Sequence, residues 1–152
     1  MTYHERMKLP ALLVSDYMTP NPIVVEPEDS LMRALEIIRL QGVRRLPVTV
    51  GGILVGLLTE GDLKRAEPST LTDSEADFNR VMEETTISRI MIQNPLTTTD
   101  DASLLDAAEV LLNTKYGALP VVAGGRLVGI LTDNDLIRAL VDVLREAKGA
   151  EG

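Results

Sequence analysis

The sequence has no cysteine, no tryptophan, a single phenylalanine and a single histidine. Without cysteine there can be no disulfide, no thiolate nucleophile and no zinc–thiolate centre, and a cysteine-free chain fits a reducing cytoplasm. The one histidine, His4, falls in an N-terminal segment (1–14) expected to pack weakly. Imidazole-based catalysis and metal binding therefore lack a second partner. G-x-S-x-G and H-E-x-x-H are absent as well, so no catalytic residue, catalytic cofactor or metal site is expected. Basic charge is scarce: 15 Lys and Arg stand against 23 Asp and Glu, a formal net charge of −8. Nucleic acids and anionic membranes are bound chiefly through Lys and Arg, so neither is expected as a partner. No sustained apolar run reaches the length of a signal peptide or a membrane span, and the expectation is a cytoplasmic protein. Aromatic residues make up only 3% of the chain and hydrophobic ones 45%, which predicts an aliphatic core with most of the six Met as filler.

What the chain does have is itself, twice. LPVTVGGILVGLLTEGDL (46–63) returns as LPVVAGGRLVGILTDNDL (119–136). A shift of 73 positions, Ser15 to Ser88, aligns 49 residue pairs without a gap and 20 of them are identical. Many of the others exchange one apolar residue for another, as in Ile37/Val110 and Leu57/Ile130. A repeat of this length is a supersecondary unit that buries its apolar face only against a second copy. Two lobes about a pseudo-two-fold axis follow, with function in the cleft between them.

Patterning fills in each unit. Pro20 and Pro22 favour extended backbone before a strand at 23–25. Ser30 is an N-cap for a helix over 30–41, with apolar positions at Leu31, Ala34, Leu35 and Ile38, stopped by Gly42. Strands at 46–50 and 53–58 flank Gly51-Gly52, a two-residue hairpin turn; no GxGxxG or GxxxxGK[ST] phosphate loop is present. A helix opens at Thr59. The second copy repeats the order, with a strand at 96–98, a helix over 103–114 capped by Ser103, strands at 119–123 and 127–131 around Gly124-Gly125, and a helix from Thr132 towards Ala147. The predicted fold class is α/β (α+β), two β-α-β-β-α repeats at 15–66 and 87–144. A helical linker at 67–86 joins them, and a polar tail at 145–152 is expected to fray. Phe78, Val81 and Met82 in the linker read either as a partner-binding stripe or as a helix covering the core.

The chemistry concentrates at the strand-to-helix junctions. A strand ending at Leu58 or Leu131 and passing directly into a helix aims free backbone N–H groups and the positive end of a helix dipole at one spot, which suits phosphate. Thr59 and Thr132 add hydroxyls there. Asp62 and Asp135 follow three residues later, where a carboxylate can accept both hydroxyls of a ribose. The same T-x-x-D also reads as a capping box, with Thr capping the third N–H and the carboxylate returning to the first. Both readings stand, and they are compatible.

The tandem pattern S-x-x-M-x-x-N-P, a capped helix, then LPV-x-x-GG-x-LVG-h-LT-x-x-DL resembles a cystathionine-β-synthase (CBS) domain pair over about 15–140, and the layout is similar to small stand-alone CBS proteins of the acetoin-utilisation type. The resemblance implies a regulatory module whose clefts are completed crosswise, the T-x-x-D of one repeat facing the lead-in and pre-LPV residues of the other. Cleft A would contain Met18, Asn21, Ile23, Val43, Arg44, Arg45 and Pro47 with Thr132 and Asp135. Cleft B would contain Thr59 and Asp62 with Met91, Asn94, Leu96, Tyr116, Gly117, Ala118 and Pro120. Implied ligands are AMP, ADP, ATP or S-adenosylmethionine, adenine lying against aliphatic side chains. Implied assembly is a disc-like homodimer that answers to an unknown protein target, with Ala139, Leu140, Val143, Leu144, Leu63 and Ala66 as candidate contacts.

The copies differ just before LPV. Arg44-Arg45 in the first aligns with Gly117-Ala118 in the second, and guanidinium groups hold phosphate bidentately. Cleft A is therefore the one expected to take a phosphorylated ligand, unless these arginines are solvated or pair with the many acids. Cleft B, with Tyr116 and no matching cations, is expected to take adenosine, a methylated nucleoside or nothing. An acid–base pair of Asp62 and Asp135 is disfavoured because repeat equivalents serve separate sites. The remaining alternative is a ligand-free scaffold in which the duplicated surface only dimerises.

Overall fold

A computed structural model describes residues 11–69 and 74–151. His4 lies outside them, as does part of the linker. The described elements run α1 (Val14–Tyr17), β1 (Thr19–Pro20), α2 (Leu31–Gln41), β2 (Arg45–Val50), β3 (Ile53–Thr59), α3 (Glu60–Ala66), α4 (Glu75–Glu84), a 3-10 turn (Ile87–Arg89), β4 (Ile92–Gln93), β5 (Thr98–Thr99), α5 (Leu104–Leu112), β6 (Ala118–Ala123), β7 (Arg126–Thr132) and α6 (Asp133–Glu151).

The local signals act as their chemistry requires. Ser30 Oγ accepts the Arg33 N–H at 3.1 Å and Ser103 Oγ the Asp106 N–H at 3.0 Å, capping α2 and α5. Gly42 ends α2 in the left-handed region, φ 68°. Both glycines of each Gly-Gly pair have positive φ, the geometry of a type I′ hairpin turn whose twist matches the flanking strands. The apolar positions of α2 form one stripe, and Leu31, Ala34, Leu35 and Ile38 are all buried.

The sheet is where the two repeats become one molecule. Its strands run β2-β3-β7-β6-β5, all antiparallel except the β5–β6 pair. Hairpins β2–β3 and β6–β7 meet through Ile53 and Arg126. The short lead-in strands pair with the opposite repeat: β1 with β7 (Thr19 opposite Ile130, Pro20 opposite Gly129) and β4 with β3 (Ile92 opposite Leu57, Gln93 opposite Gly56). Residues 12–13 likewise bond the start of α5, and residue 85 the start of α2.

This exchange depends on the glycine of each LVG. A Cβ on Gly129 would stand 2.7 Å from Met18 Sδ and 3.0 Å from the Thr19 carbonyl; on Gly56 it would stand 2.5 Å from Met91 Sδ and 3.0 Å from the Ile92 carbonyl. No side chain fits where the lead-in crosses.

Each core is consequently mixed. One contains first-repeat residues such as Leu31, Leu46, Leu58 and Leu63 together with Ile87 from the second lead-in; the other contains Leu104, Leu119, Leu131 and Ala139 together with Val14 from the first. A third, small cluster of Leu57, Ala118 and Ile130, with Ile92 and Tyr116 against it, lies where the repeats meet. The cores are aliphatic, as composition requires.

Several expectations are corrected. Only Val25 of the strand predicted at 23–25 pairs, in a single parallel bridge to Val48, while Ile23 and Val24 are exposed. Pro22 has no N–H to contribute to a longer ladder. In the second repeat the strand is displaced to 98–99. The tail predicted to fray from Arg145 continues α6 to Glu151, with Ala147 buried. In the linker, Met82 is fully buried and Phe78 packs on the first core, so α4 covers that core rather than presenting Met82 as a partner stripe.

Candidate functional site

Crossed lead-ins create two clefts at repeat-equivalent places. In cleft A, β1 lies beside β7 and brings Thr19 to the start of α6. A cavity of about 760 Å³ opens there, lined by Asn21, Ile23, Val43, Arg44, Arg45, Thr132 and Asp135 of the expected set. Thr19, Ile130, Asp133, Asn134, Ile137 and Arg138 join them. Met18 and Pro47 do not line it. Met18 packs over Gly129, and Pro47 is buried within β2, where its carbonyl accepts the Val25 N–H.

Cleft B is smaller, about 590 Å³. Of the expected residues only Thr59, Asp62 and Tyr116 line it, joined by Ile92, the repeat counterpart of Thr19. Met91 packs over Gly56, Ala118 belongs to the central cluster, and Pro120 is buried in β6. Asn94 and Leu96 do not line the cleft, whereas Tyr116 does. Its hydroxyl receives the Leu96 N–H at 3.2 Å. Its counterpart in cleft A is Val43, which has no hydroxyl to do the same. Gly117, with φ 63°, makes room for Arg45 instead: a Cβ there would be 2.5 Å from Arg45 Nη2.

The two T-x-x-D motifs are not in the same state. Asp135 completes a full capping box. Its Oδ2 accepts the Thr132 N–H at 2.9 Å and hydroxyl at 3.2 Å, and Thr132 Oγ1 accepts the Asp135 N–H at 3.4 Å. Oδ1 receives the Thr19 hydroxyl at 3.4 Å and pairs with Arg138. Asp135 is only 2% exposed and its acceptor sites are largely taken. Asp62 makes half a box. Thr59 Oγ1 accepts the Asp62 N–H at 3.0 Å and Asp62 Oδ1 pairs with Arg65, but Oδ2 is buried with no hydrogen-bond partner among the described residues. A buried carboxylate oxygen left in this condition is costly and awaits a donor.

The charge distribution overturns the expectation that cleft B lacks cations. Lys64, Arg65 and Lys115 line it, and Arg44 and Arg45 lie at the junction and line both clefts. Arg45 itself crosses between the repeats: Nε donates to the Tyr116 carbonyl at 3.1 Å, and the guanidinium pairs with Asp133 at 3.3 and 3.4 Å. Hydrogen bonding to Lys64, with further attraction from Arg44 and Arg45, holds the Glu60 carboxyl below the usual carboxylate range.

Sequence reasoning missed three kinds of residue. Thr19 had no repeat signal, since its counterpart is Ile92. Lys115 aligns with Gly42 and so was invisible in the comparison of Arg44-Arg45 with Gly117-Ala118. Arg65 and Arg138 did leave a signal, being identical at the same shift and three residues after the aspartate in each copy.

Crossed lead-ins, paired clefts and duplicated T-x-x-D motifs are the features the CBS resemblance implies, and the family model decides it. The CBS domain model matches residues 14–69 and again 87–142. The chain belongs to the CBS domain family. As a CBS pair it is 34% identical over 159 residues to the chloroplastic CBS domain-containing protein CBSX2 of Arabidopsis thaliana, covering 90% of this chain and 67% of that protein. The structure of CBSX2 in complex with AMP superposes with a TM-score of 0.72 at 35% identity, over 87% of this chain and 98% of that one. The CBS pair of protein MJ0100, solved with 5′-methylthioadenosine and S-adenosyl-L-methionine, gives a TM-score of 0.72 at 28% identity, over 88% and 98%. A putative acetoin utilisation protein (AcuB) from Vibrio cholerae gives 0.75 at 25%, over 92% and 98%. No described helix is long and apolar enough to cross a membrane.

Proposed function

We propose that this CBS pair is a non-catalytic cytoplasmic sensor that binds adenosine-type ligands between its repeats and transmits occupancy through the packing of a homodimer to another protein. The observation that carries the reading is Asp62, which lines a cavity together with Thr59 and has its Oδ2 buried without a hydrogen-bond partner among the described residues. The cavity's volume, like that of cleft A, falls within the roughly 300–1,000 Å³ usual for small-molecule sites. Once the carboxylate turns toward the cavity, a ribose hydroxyl can donate to it. AMP bound to CBSX2, and the sulfonium and thioether nucleosides bound to MJ0100, support AMP, ADP, ATP or S-adenosylmethionine as the class. Ligand shifts the packing equilibrium only by binding one arrangement more tightly than the other.

The dimer reading rests on an apolar face. Leu140 and Leu144 on α6 are 54% and 57% exposed, and Ile137 (58%) and Leu105 (68%) extend the patch. Leu63 and Ala139, also candidates from sequence, are core residues at 1% and 5% and cannot serve.

A thermal-shift series with adenosine, AMP, ADP, ATP and S-adenosylmethionine tests the ligand reading. A ligand present at a hundred times its Kd adds about 2.7 kcal/mol to stability, which raises the melting temperature by several degrees in a domain of this size. If all five leave the melting temperature unchanged, the ligand-free scaffold replaces the sensor.

A further inference from the structure

We infer that cleft B, the cleft of Thr59 and Asp62, is the one that receives a phosphate chain, so that its preferred occupant is a nucleoside di- or triphosphate. The inference rests on the proposed adenosine reading and adds to it which cleft takes which class of ligand.

Positive charge gathers at cleft B, and four of its five cations are exposed. In a chain of net charge −8, five cations converge on cleft B: Arg44, Arg45, Lys64, Arg65 and Lys115, against the carboxylates of Glu60 and Asp62. Arg44 and Lys115 approach from different repeats, are exposed, and form no ion pair with any described residue. Lys64 and Arg65 pair within their own helix while remaining 70% and 73% exposed. The exposed Lys64–Glu60 pair is worth about 0–1 kcal/mol, so a phosphate can recruit Lys64 at little cost, while Arg65 adds its charge without leaving Asp62. Beside these cations the Glu60 carboxyl is held below the usual carboxylate range, first by its hydrogen bond to Lys64 and then by attraction from Lys64, Arg44 and Arg45.

Cleft A offers less. Its cations are Arg44, Arg45 and Arg138; Arg138 is held by the buried Asp135, and Arg45 by Asp133 and the Tyr116 carbonyl. Only Arg44 is uncommitted there, and cleft B shares it. The carboxylates also differ, since one oxygen of Asp62 has no partner among the described residues whereas Asp135 has Thr132, Thr19 and Arg138. Cleft A is thus suited to an uncharged nucleoside, or to remaining closed on itself.

Calorimetric titration of the chain with adenosine, AMP, ADP and ATP at low and high salt tests this, with pyrophosphate as a nucleoside-free probe. Affinity is expected to rise from adenosine to ADP by about tenfold at low salt, and the gain to shrink at high salt as exposed charges are screened. Lys115→Ala, at an exposed position without partners, should weaken ADP and pyrophosphate about three- to fivefold, the scale of an exposed ion pair, and leave adenosine unchanged. Asp62→Ala should abolish the preference for ADP and Asp135→Ala should preserve it. Equal affinity for adenosine and ADP overturns the inference while leaving the sensor intact. A preference for ADP lost in Asp135→Ala and kept in Asp62→Ala overturns it also, by moving the phosphate to cleft A. Pyrophosphate binding that depends on Lys115, in a protein that ignores adenosine, upholds the anion site and removes the adenosine reading instead.

Discussion

Asp62 and Asp135 are repeat equivalents, yet their carboxylates have different partners. In Asp135→Ala the carboxylate that accepts the Thr132 N–H and hydroxyl, the Thr19 hydroxyl and the Arg138 guanidinium disappears from a site only 2% exposed. Loss of a helix cap costs about 1 kcal/mol, and loss of buried hydrogen bonds to a charged group about 1.5–3 kcal/mol. Since these overlap, Asp135→Ala should lower the unfolding free energy by about 2–4 kcal/mol. Asp62→Ala removes one exposed ion pair with Arg65 and one buried oxygen that has no partner. The pair is worth about 0–1 kcal/mol, and deleting an unsatisfied buried acceptor is favourable, so the net change should be about 1 kcal/mol or less. Binding should show the reverse order, with Asp62→Ala weakening a ribose-containing ligand about 10- to 150-fold, the equivalent of about 1.5–3 kcal/mol. Urea unfolding followed by circular dichroism reads the stability half through the midpoint at constant slope. Equal destabilisation by the two substitutions would refute the distinction between a closed capping box and an open one.

Other expectations follow from particular contacts. Gly129→Ala should cost about 1–3 kcal/mol, because the new methyl meets both Met18 Sδ and the Thr19 carbonyl; its melting temperature should fall well below that of Gly149→Ala, where nothing lies within 4 Å. Gly117→Ala combines positive φ with a collision against Arg45. In an Arg45→Ala background the Arg45 contact vanishes, while about 1 kcal/mol of backbone strain and the 3.2 Å approach to Asp133 Oδ2 should remain, a coupling that a double-mutant cycle measures directly. Tyr17 donates its hydroxyl to Asp142, which raises its pKa. The stabilisation is full below the ordinary tyrosine value of about 10 and is lost as pH rises through the higher folded value; melts above pH 9 should show a shallower alkaline decline in Tyr17→Phe. Leu140→Glu with Leu144→Glu should convert the proposed homodimer to monomer in light scattering without lowering the helix signal.

Much of this was legible in the sequence because the signals were local. Ser30, Gly42, Ser103 and the two Gly-Gly turns act within a few residues of themselves, and helices and hairpins appear where they place them. The repeat exposed the pseudo-symmetry, and the resemblance built on it supplied the crosswise arrangement. What could not be read from pattern is what depends on meeting a distant partner. Ile23 and Val24 look like strand residues, but edge geometry next to Pro22 leaves only Val25 paired. Arg45 reads as a cleft A cation and instead ties Tyr116 and Asp133 across the repeats, separated by 71 and 88 positions. Tyr116 accepts the Leu96 N–H in a bond that spacing does not suggest. The inequality of two identical T-x-x-D motifs has the same origin. Thr19 reaches Asp135, whereas its counterpart beside Asp62 is Ile92, which has no hydroxyl to give.

The most direct test of the central claim is calorimetric titration of the wild-type chain and of Asp62→Ala with AMP. Saturable binding to the wild type that is lost or weakened at least tenfold in Asp62→Ala, with the fold intact by circular dichroism, is the predicted result. Binding unchanged in Asp62→Ala, or no binding by either protein, would contradict the assignment of this cleft as an adenosine-ligand site.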